Sequence, residues 1–123
     1  MSIDFDKAIG VHGEALRLRA ERTKILAGNI ANESTPGYQA RDIDFSASLN
    51  QAIAQDAADG GLLLDTDGAE TGYRVPYHPS LDGNTVELGA EQAAFSQNTS
   101  DFQTSLTFVN MKLRGLAKAI AGQ

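Results

Sequence analysis

Asp65, Asp67 and Glu70 alternate around Gly68 as the ligands of a calcium loop would, so that their oxygens could converge on one hard cation. A complete loop of that kind needs a carboxylate at its twelfth position, which counted from Asp65 is Pro76, so a solvated turn is the expected reading. His12 and His78 are the only histidines, and neither has a second ligand at metal spacing. Ser34 and Ser80 lie outside any Gly-x-Ser-x-Gly elbow. Asp42 and Asp44 could share acid–base work only if the fold aimed both at one point. The residues therefore suggest no catalytic site, no metal site and no cofactor.

What must position these residues is a pair of long helices. Ile9, Gly13, Leu16, Ala20, Thr23, Ala27 and Ile30 step by four and three. So do Phe95, Thr99, Phe102, Leu106, Val109, Leu113, Leu116 and Ile120. That spacing keeps one seam of a helix against a partner helix. Large residues on the second stripe (Phe95, Phe102, Leu106) match small ones on the first (Gly13, Ala20, Ala27), which favours pairing within one subunit. Val11, Leu18 and Ile25 fall on the opposite face of the first helix. With Phe108 and Met111 on the last helix, they are the candidates for contact with neighbouring copies.

The first helix is expected within residues 1–31, from about residue 6, with Asp4 and Asp6 at its positive end. Residues 32–85 form an irregular, partly extended segment. Pro36-Gly37 suits the centre of a type II turn, Asp42–Phe45 alternates as a short strand does, and residues 46–58 could make a weak helix. The glycines between 59 and 72 mark a loop, and Tyr73–Val75 is a second short strand. Asn84 and Glu87, three apart, are expected as a capping pair opening the final helix over 86–123. At 1.5 Å per residue that helix would be about 50 Å long, so the subunit should be elongated. The expected fold is mainly α: one domain over 1–123, its terminal helices an antiparallel coiled-coil-like pair, built for a helical assembly.

Charge narrows the partners. The net charge is +1 over residues 1–31, −7 over 32–86 and 0 over 87–123, so the acidic excess lies wholly in the middle. No basic stripe offers phosphate attraction, which argues against nucleic acid. There is no cysteine to form a disulfide or a thiolate metal site. The acidic N-terminus, Met1-Ser2-Ile3-Asp4, does not read as a cleavable signal peptide, and no stretch has the ~20 apolar residues of a membrane span.

The run Leu26-Ala27-Gly28-Asn29-Ile30-Ala31-Asn32-Glu33-Ser34-Thr35-Pro36-Gly37-Tyr38 closely resembles the signature of the bacterial flagellar axial proteins, the rod and hook family. Its carriers are Asn29, Ile30, Asn32, Thr35, Pro36, Gly37 and Tyr38. Ala40–Phe45, Pro79–Val86 and Ser105–Leu116 are similar to proximal-rod members, and the length is too short for the distal ones. The resemblance implies a non-enzymatic subunit of the basal-body rod, polymerising through its terminal helices into a torque-transmitting driveshaft in the periplasmic space. It implies export by the flagellar type III apparatus without a cleaved signal. The implied partners are copies of itself, rod proteins of the FlgC, FlgF and FlgG types, FliE, and the membrane-ring and export-gate base, with no membrane insertion. A FlgC-like rod protein is the alternative within the family, and a cytoplasmic coiled-coil adaptor or export chaperone the alternative outside it.

Overall fold

Gly10 sets where the first helix begins. It takes φ 55° and ψ −136°, a backbone region open in practice only to glycine, and so separates Ile9 from the helix that follows. In the computed structural model, which describes residues 9–59 and 71–122, helix α1 accordingly runs Val11–Ala31, and the expected start at about residue 6 lies outside the described residues. Asp4 and Asp6 lie outside the described residues, as does the Asp65–Glu70 run.

Strand β1 (Arg41–Ile43), helix α2 (Phe45–Asp59), strand β2 (Thr71–Tyr73) and helix α3 (Leu88–Ala121) complete the order. The two strands pair antiparallel, Arg41 opposite Tyr73 and Ile43 opposite Thr71. Both fall slightly earlier than the alternation of residue types suggests. For β1 the reason is Asp44, whose carboxylate accepts the Ala47 N–H at 3.0 Å and whose carbonyl accepts Ser48 N–H, so the strand gives way to α2 there.

The expected capping pair at the start of α3 does not form. Glu87 is the residue before the helix, but its Oε1 accepts the Tyr77 and His78 N–H groups at 2.8 and 3.1 Å, and Asn84 is drawn to the end of α1. At its other end α3 stops at Gly122, whose φ of 73° and N–H bond to the Ala119 carbonyl close the last turn.

α1 and α3 form an antiparallel pair. Rising numbers on one meet falling numbers on the other: the His12 ring stacks on Phe108 at 5.2 Å, Arg19 meets Asp101 at 3.1 Å, Thr23 meets Asn98 at 2.8 Å, and Asn29 meets Glu91 at 3.0 Å. With 34 residues against 21, α3 is about 50 Å long and outreaches α1 by roughly 20 Å at 1.5 Å per residue. The buried apolar residues are few: Ala15, Leu18 and Leu26 on α1, Val109 on α3, and Ala40 and Ile43 around β1. α2 packs on α1, where the Arg19 guanidinium lies 3.9 Å from the centre of the Phe45 ring.

Candidate functional site

The turn that ends α1 is the most elaborated part of the molecule. Proline has no N–H and fixes its own φ, so the chain must leave the helix by Pro36. Gly37 supplies the positive φ, 73°, that the third position of a type II turn needs, and Tyr38 N–H closes that turn on the Thr35 carbonyl at 3.2 Å. Asn32 ends the helix by donating to the Gly28 carbonyl at 2.7 Å, and Thr35 donates to the Asn32 side chain at 3.1 Å. Turned back in this way, the Tyr38 hydroxyl reaches Asn29 at 3.4 Å. A Cβ on Gly28 would meet that hydroxyl at an ordinary 3.8 Å, so the small residue there is not demanded by space.

Asn29 is fully buried and uses every hydrogen-bonding capacity of its amide. Its Nδ2 donates to the Arg41 carbonyl at 2.7 Å and to Glu91 Oε2 at 3.0 Å. Its Oδ1 accepts Arg41 N–H at 3.1 Å as well as the Tyr38 hydroxyl. Asn29 therefore pairs with the Arg41 backbone as a neighbouring strand would, and in the same place ties α1 to α3.

A chain of charges continues from it. Arg22 grips Asp42 with two bonds of 2.9 and 3.0 Å, Arg74 adds a third at 2.6 Å, and the other arm of Arg74 lies 2.9 Å from Glu91 Oε1. Burial pushes the Asp42 carboxyl up, but the bonds from Arg22, the Ile43 N–H and Arg74 outweigh it and hold its pKa below the ordinary carboxylate range. The Arg22 guanidinium is held above its ordinary value, by the Asp42 hydrogen bond first of all. Because the folded-state carboxyl is the stronger acid, its stabilisation is complete above the unfolded pKa near 3.8 and is lost as pH falls through the lower folded value. Asp42→Asn is expected to weaken the strand-to-helix joint at pH 7 by about 1–2 kcal/mol, discounted for the partial exposure of the group. Amide exchange at Ile43 and Arg74 followed from pH 6 to 3 measures this. The variant should lack the acid-side loss of protection that the native chain shows.

The second helix-end residue of importance is Asn84, whose Nδ2 lies within 3.0 Å of the Asn32, Glu33 and Thr35 carbonyls while its Oδ1 accepts Val86 N–H at 2.7 Å. Gly37 N–H to the Asp82 carbonyl and Thr85 N–H to the Tyr38 carbonyl strap the same two segments together.

Along the helices, the contact lies on a different line from the one expected. The buried positions of α3 are Glu91, Asn98, Ser105 and Val109, and those of α1 are Ala15, Leu18, Leu26 and Asn29. Leu18, expected to face neighbouring copies, is 4% exposed in the core of its own chain, while Ala20 and Ala27, expected in the seam, are exposed. The reason is that alternate seam positions of α3 are polar. Glu91, Asn98 and Ser105 are seven apart and share the seam with Phe95, Phe102, Val109 and Leu116, so a search for apolar residues alone picks Leu106 and Leu113, which stay exposed. Ile9, Leu16, Ile30 and Ile25 are partly covered; Val11, Phe108 and Met111 are exposed. Of the small residues expected to receive the phenyl rings, Ala20 lines an open groove of about 290 Å³ together with Thr23, Thr99 and Phe102.

Among the described residues no group of three or more His, Cys, Asp or Glu could hold a metal, and no helix is long and apolar enough to cross a membrane. Asp42, the one acid of the 42/44 pair in the charge chain, is occupied by arginines, and Asp44 caps a helix.

Comparison with known proteins converges on the same residues. The family model described as flagella basal body rod protein matches residues 9–39, which is α1 with the turn through Tyr38. The chain is 43% identical to the flagellar basal body rod protein FlgB of Aeromonas hydrophila, covering all of this chain and 99% of the relative. It is 40% identical to FlgB of Salmonella typhimurium over 95% of each chain, and 40% identical to FlgB of Escherichia coli K12 over 94% of each. With likeness to FlgB running from end to end, through both long helices and the turn that ends the first, the chain belongs to the flagellar basal body rod protein family, whose members are structural components of the motility apparatus and not enzymes.

Proposed function

We propose that the protein builds the proximal rod by laying the outward faces of α1 and α3 against adjacent subunits, so that torque passes through many packed helices. The observation that carries this reading is the outer surface of α3. From Gln92 to Met111 the helix has one charged residue, Asp101, already paired with Arg19, and it exposes Leu106, Phe108 and Met111. A helix face meant for water would be charged; depletion of charge with apolar and aromatic residues marks the core of an interface. The groove of Ala20, Thr23, Thr99 and Phe102 beside it is ready to take an apolar side chain.

Rod proteins of the FlgC, FlgF and FlgG types, FliE and the base of the membrane ring and export gate are the neighbours this reading names. It places the protein in the periplasmic part of the basal body, delivered by the flagellar type III apparatus. Ordering the backbone costs roughly 1–2 kcal/mol per residue, and the six buried apolar side chains among the described residues offset little of that, so folding completes on assembly. A dilute solution of the chain should melt broadly by circular dichroism; a sharp cooperative transition would separate folding from assembly.

Leu106→Asp and Met111→Asp test the face directly. Both side chains are exposed, so helical content should stay at the native level while the copies counted per purified basal body fall at least tenfold. Normal incorporation of both would remove this face from the interface.

A further inference from the structure

A second exposed apolar surface lies at the opposite end of the molecule from the free end of α3. Val75, Tyr77 and Leu81 are 86%, 83% and 110% exposed, within seven residues of one another, in the segment between β2 and α3. Scattered apolar residues on a surface are ordinary, but three large ones this exposed and this close in sequence make the segment a candidate contact. Tyr77 and Leu81 adjoin in sequence the residues His78–Ser80 and Asp82, which with Glu33 and Glu87 line a recess of about 300 Å³ that holds no lysine or arginine.

The free end of α3 has the reverse character. Over 110–121 it carries Lys112, Arg114 and Lys118 and no acid, and none of the three meets a carboxylate in the described structure. Leu113, Leu116 and Ile120 step by three and four along one side, with Arg114 and Lys118 on the other. The 34 residues of α3 put this end about 50 Å from its own acidic recess, too far for one chain to join the two.

We infer that the Val75–Tyr77–Leu81 strip with its acidic recess is a docking surface for a basic amphipathic helix end supplied by another axial subunit, of the kind this chain's own residues 111–120 form. The apolar strip receives the leucine and isoleucine stripe, and Glu33 and Asp82 face the lysine and arginine side. Contacts between two different patches generate open, propagating assemblies and not closed pairs, which is the geometry a shaft requires. Opposite charge also sets direction, because two acidic ends or two basic ends repel.

The inference rests on the rod reading, and the test separates the two. Leu81→Asp and Glu33→Lys alter exposed side chains that make no hydrogen bond or ion pair among the described residues, so each should leave helical content and secretion unchanged. A synthetic peptide of residues 108–122 titrated into the native full-length chain should bind, and should lose at least fivefold in affinity between 50 and 300 mM salt, as expected when several charges are screened. Binding should drop at least tenfold to the Leu81→Asp chain, and equally for a peptide with Lys112, Arg114 and Lys118 changed to glutamine. In cells, the Leu81→Asp, Glu33→Lys double variant should leave the chain in the secreted fraction and deplete it from basal bodies. No peptide binding at millimolar concentration, or binding indifferent to both changes, overturns the docking surface. If the double variant also enters basal bodies normally while Leu106→Asp does not, the strip has no part in assembly and the rod reading stands. Absence of the native chain from purified basal bodies would instead remove the rod reading itself.

Discussion

Asn29→Leu is expected to abolish incorporation into the basal body while leaving most of the helical content in place. The leucine keeps the branched outline of the asparagine and is bulkier, so no cavity is left and the cost is the lost hydrogen bonds together with crowding in a fully buried site. Four groups lose their partner: the N–H and carbonyl of Arg41, Glu91 Oε2 and the Tyr38 hydroxyl. A buried polar group left unsatisfied costs about 1–3 kcal/mol, and more when it is charged, so a sum of about 4 kcal/mol is reached even if the four terms overlap. Ordinary domains are held by only about 5–15 kcal/mol in total, and a chain with so few buried apolar residues, whose folding completes on assembly, has less than that in reserve. The joint between α1, β1 and α3 should open. Amide exchange should show Arg41 N–H unprotected, and the chain should be secreted but missing from purified basal bodies. Protection of Arg41 at the native level, with normal incorporation, would show that Asn29 does not hold the joint. Asn29→Asp separates shape from chemistry: it keeps the outline but replaces the Nδ2 donors with an acceptor facing Glu91 and the Arg41 carbonyl, so it should be no milder than leucine.

What could be read from the residues, and what could not, follows from which physics is local. The two long helices and the end of α1 were legible because apolar spacing, Pro36 and Gly37 act over a few residues. The turn was legible for the same reason: the Thr35-Pro36-Gly37-Tyr38 geometry is what those four residues do on their own. The break before Val11 was not legible because Gly10 sits inside a convincing apolar period, and only its positive φ reveals it. The helix seam was misjudged because it is half polar. Glu91, Asn98 and Ser105 have no reason to be buried until Asn29, Thr23 and the Arg19 carbonyl are brought to them by the fold. Leu18 moved from the expected outer face to the core as the direct consequence. The charge chain Arg22–Asp42–Arg74–Glu91 was invisible for a further reason: its members are twenty, thirty-two and seventeen positions apart in sequence, and no local rule couples them. Glu91 alone left a trace, standing seven residues before Asn98 and fourteen before Ser105 in step with the phenylalanines. Buried polar groups at seam positions can specify register at some cost in stability. In a subunit whose length must match its neighbours, that exchange favours a unique alignment over a stronger one.

Asn84→Asp should be more damaging than Asn84→Ala, although it changes the shape of the side chain far less. The native amide donates toward the carbonyls of Asn32, Glu33 and Thr35, three oxygens on a segment some fifty residues away, and accepts Val86 N–H. An alanine at this position merely removes the donor. The abandoned carbonyls lie near the surface, where Glu33 and Thr35 are exposed, so water can reach them and the loss should be about 1–2 kcal/mol. A carboxylate keeps the acceptor for Val86 but points negative charge at three carbonyl oxygens, and no water can bridge that arrangement without pushing the segments apart. The cost should exceed that of alanine by at least 1–2 kcal/mol, enough to free the strap between Tyr38 and Thr85. The two variants also differ in their response to acid. The new carboxyl sits among carbonyls that favour its protonated form, so its pKa should be raised in the folded chain. A raised folded pKa means stability regained as pH falls through that value, the reverse of the behaviour of Asp42. Exchange of Thr85 N–H, compared between the two variants at pH 7.5 and pH 5, should show the aspartate variant recovering protection on acidification and the alanine variant unchanged. Equal protection of the two at pH 7.5 would mean that Asn84 acts through its backbone position and not through the hydrogens of its amide.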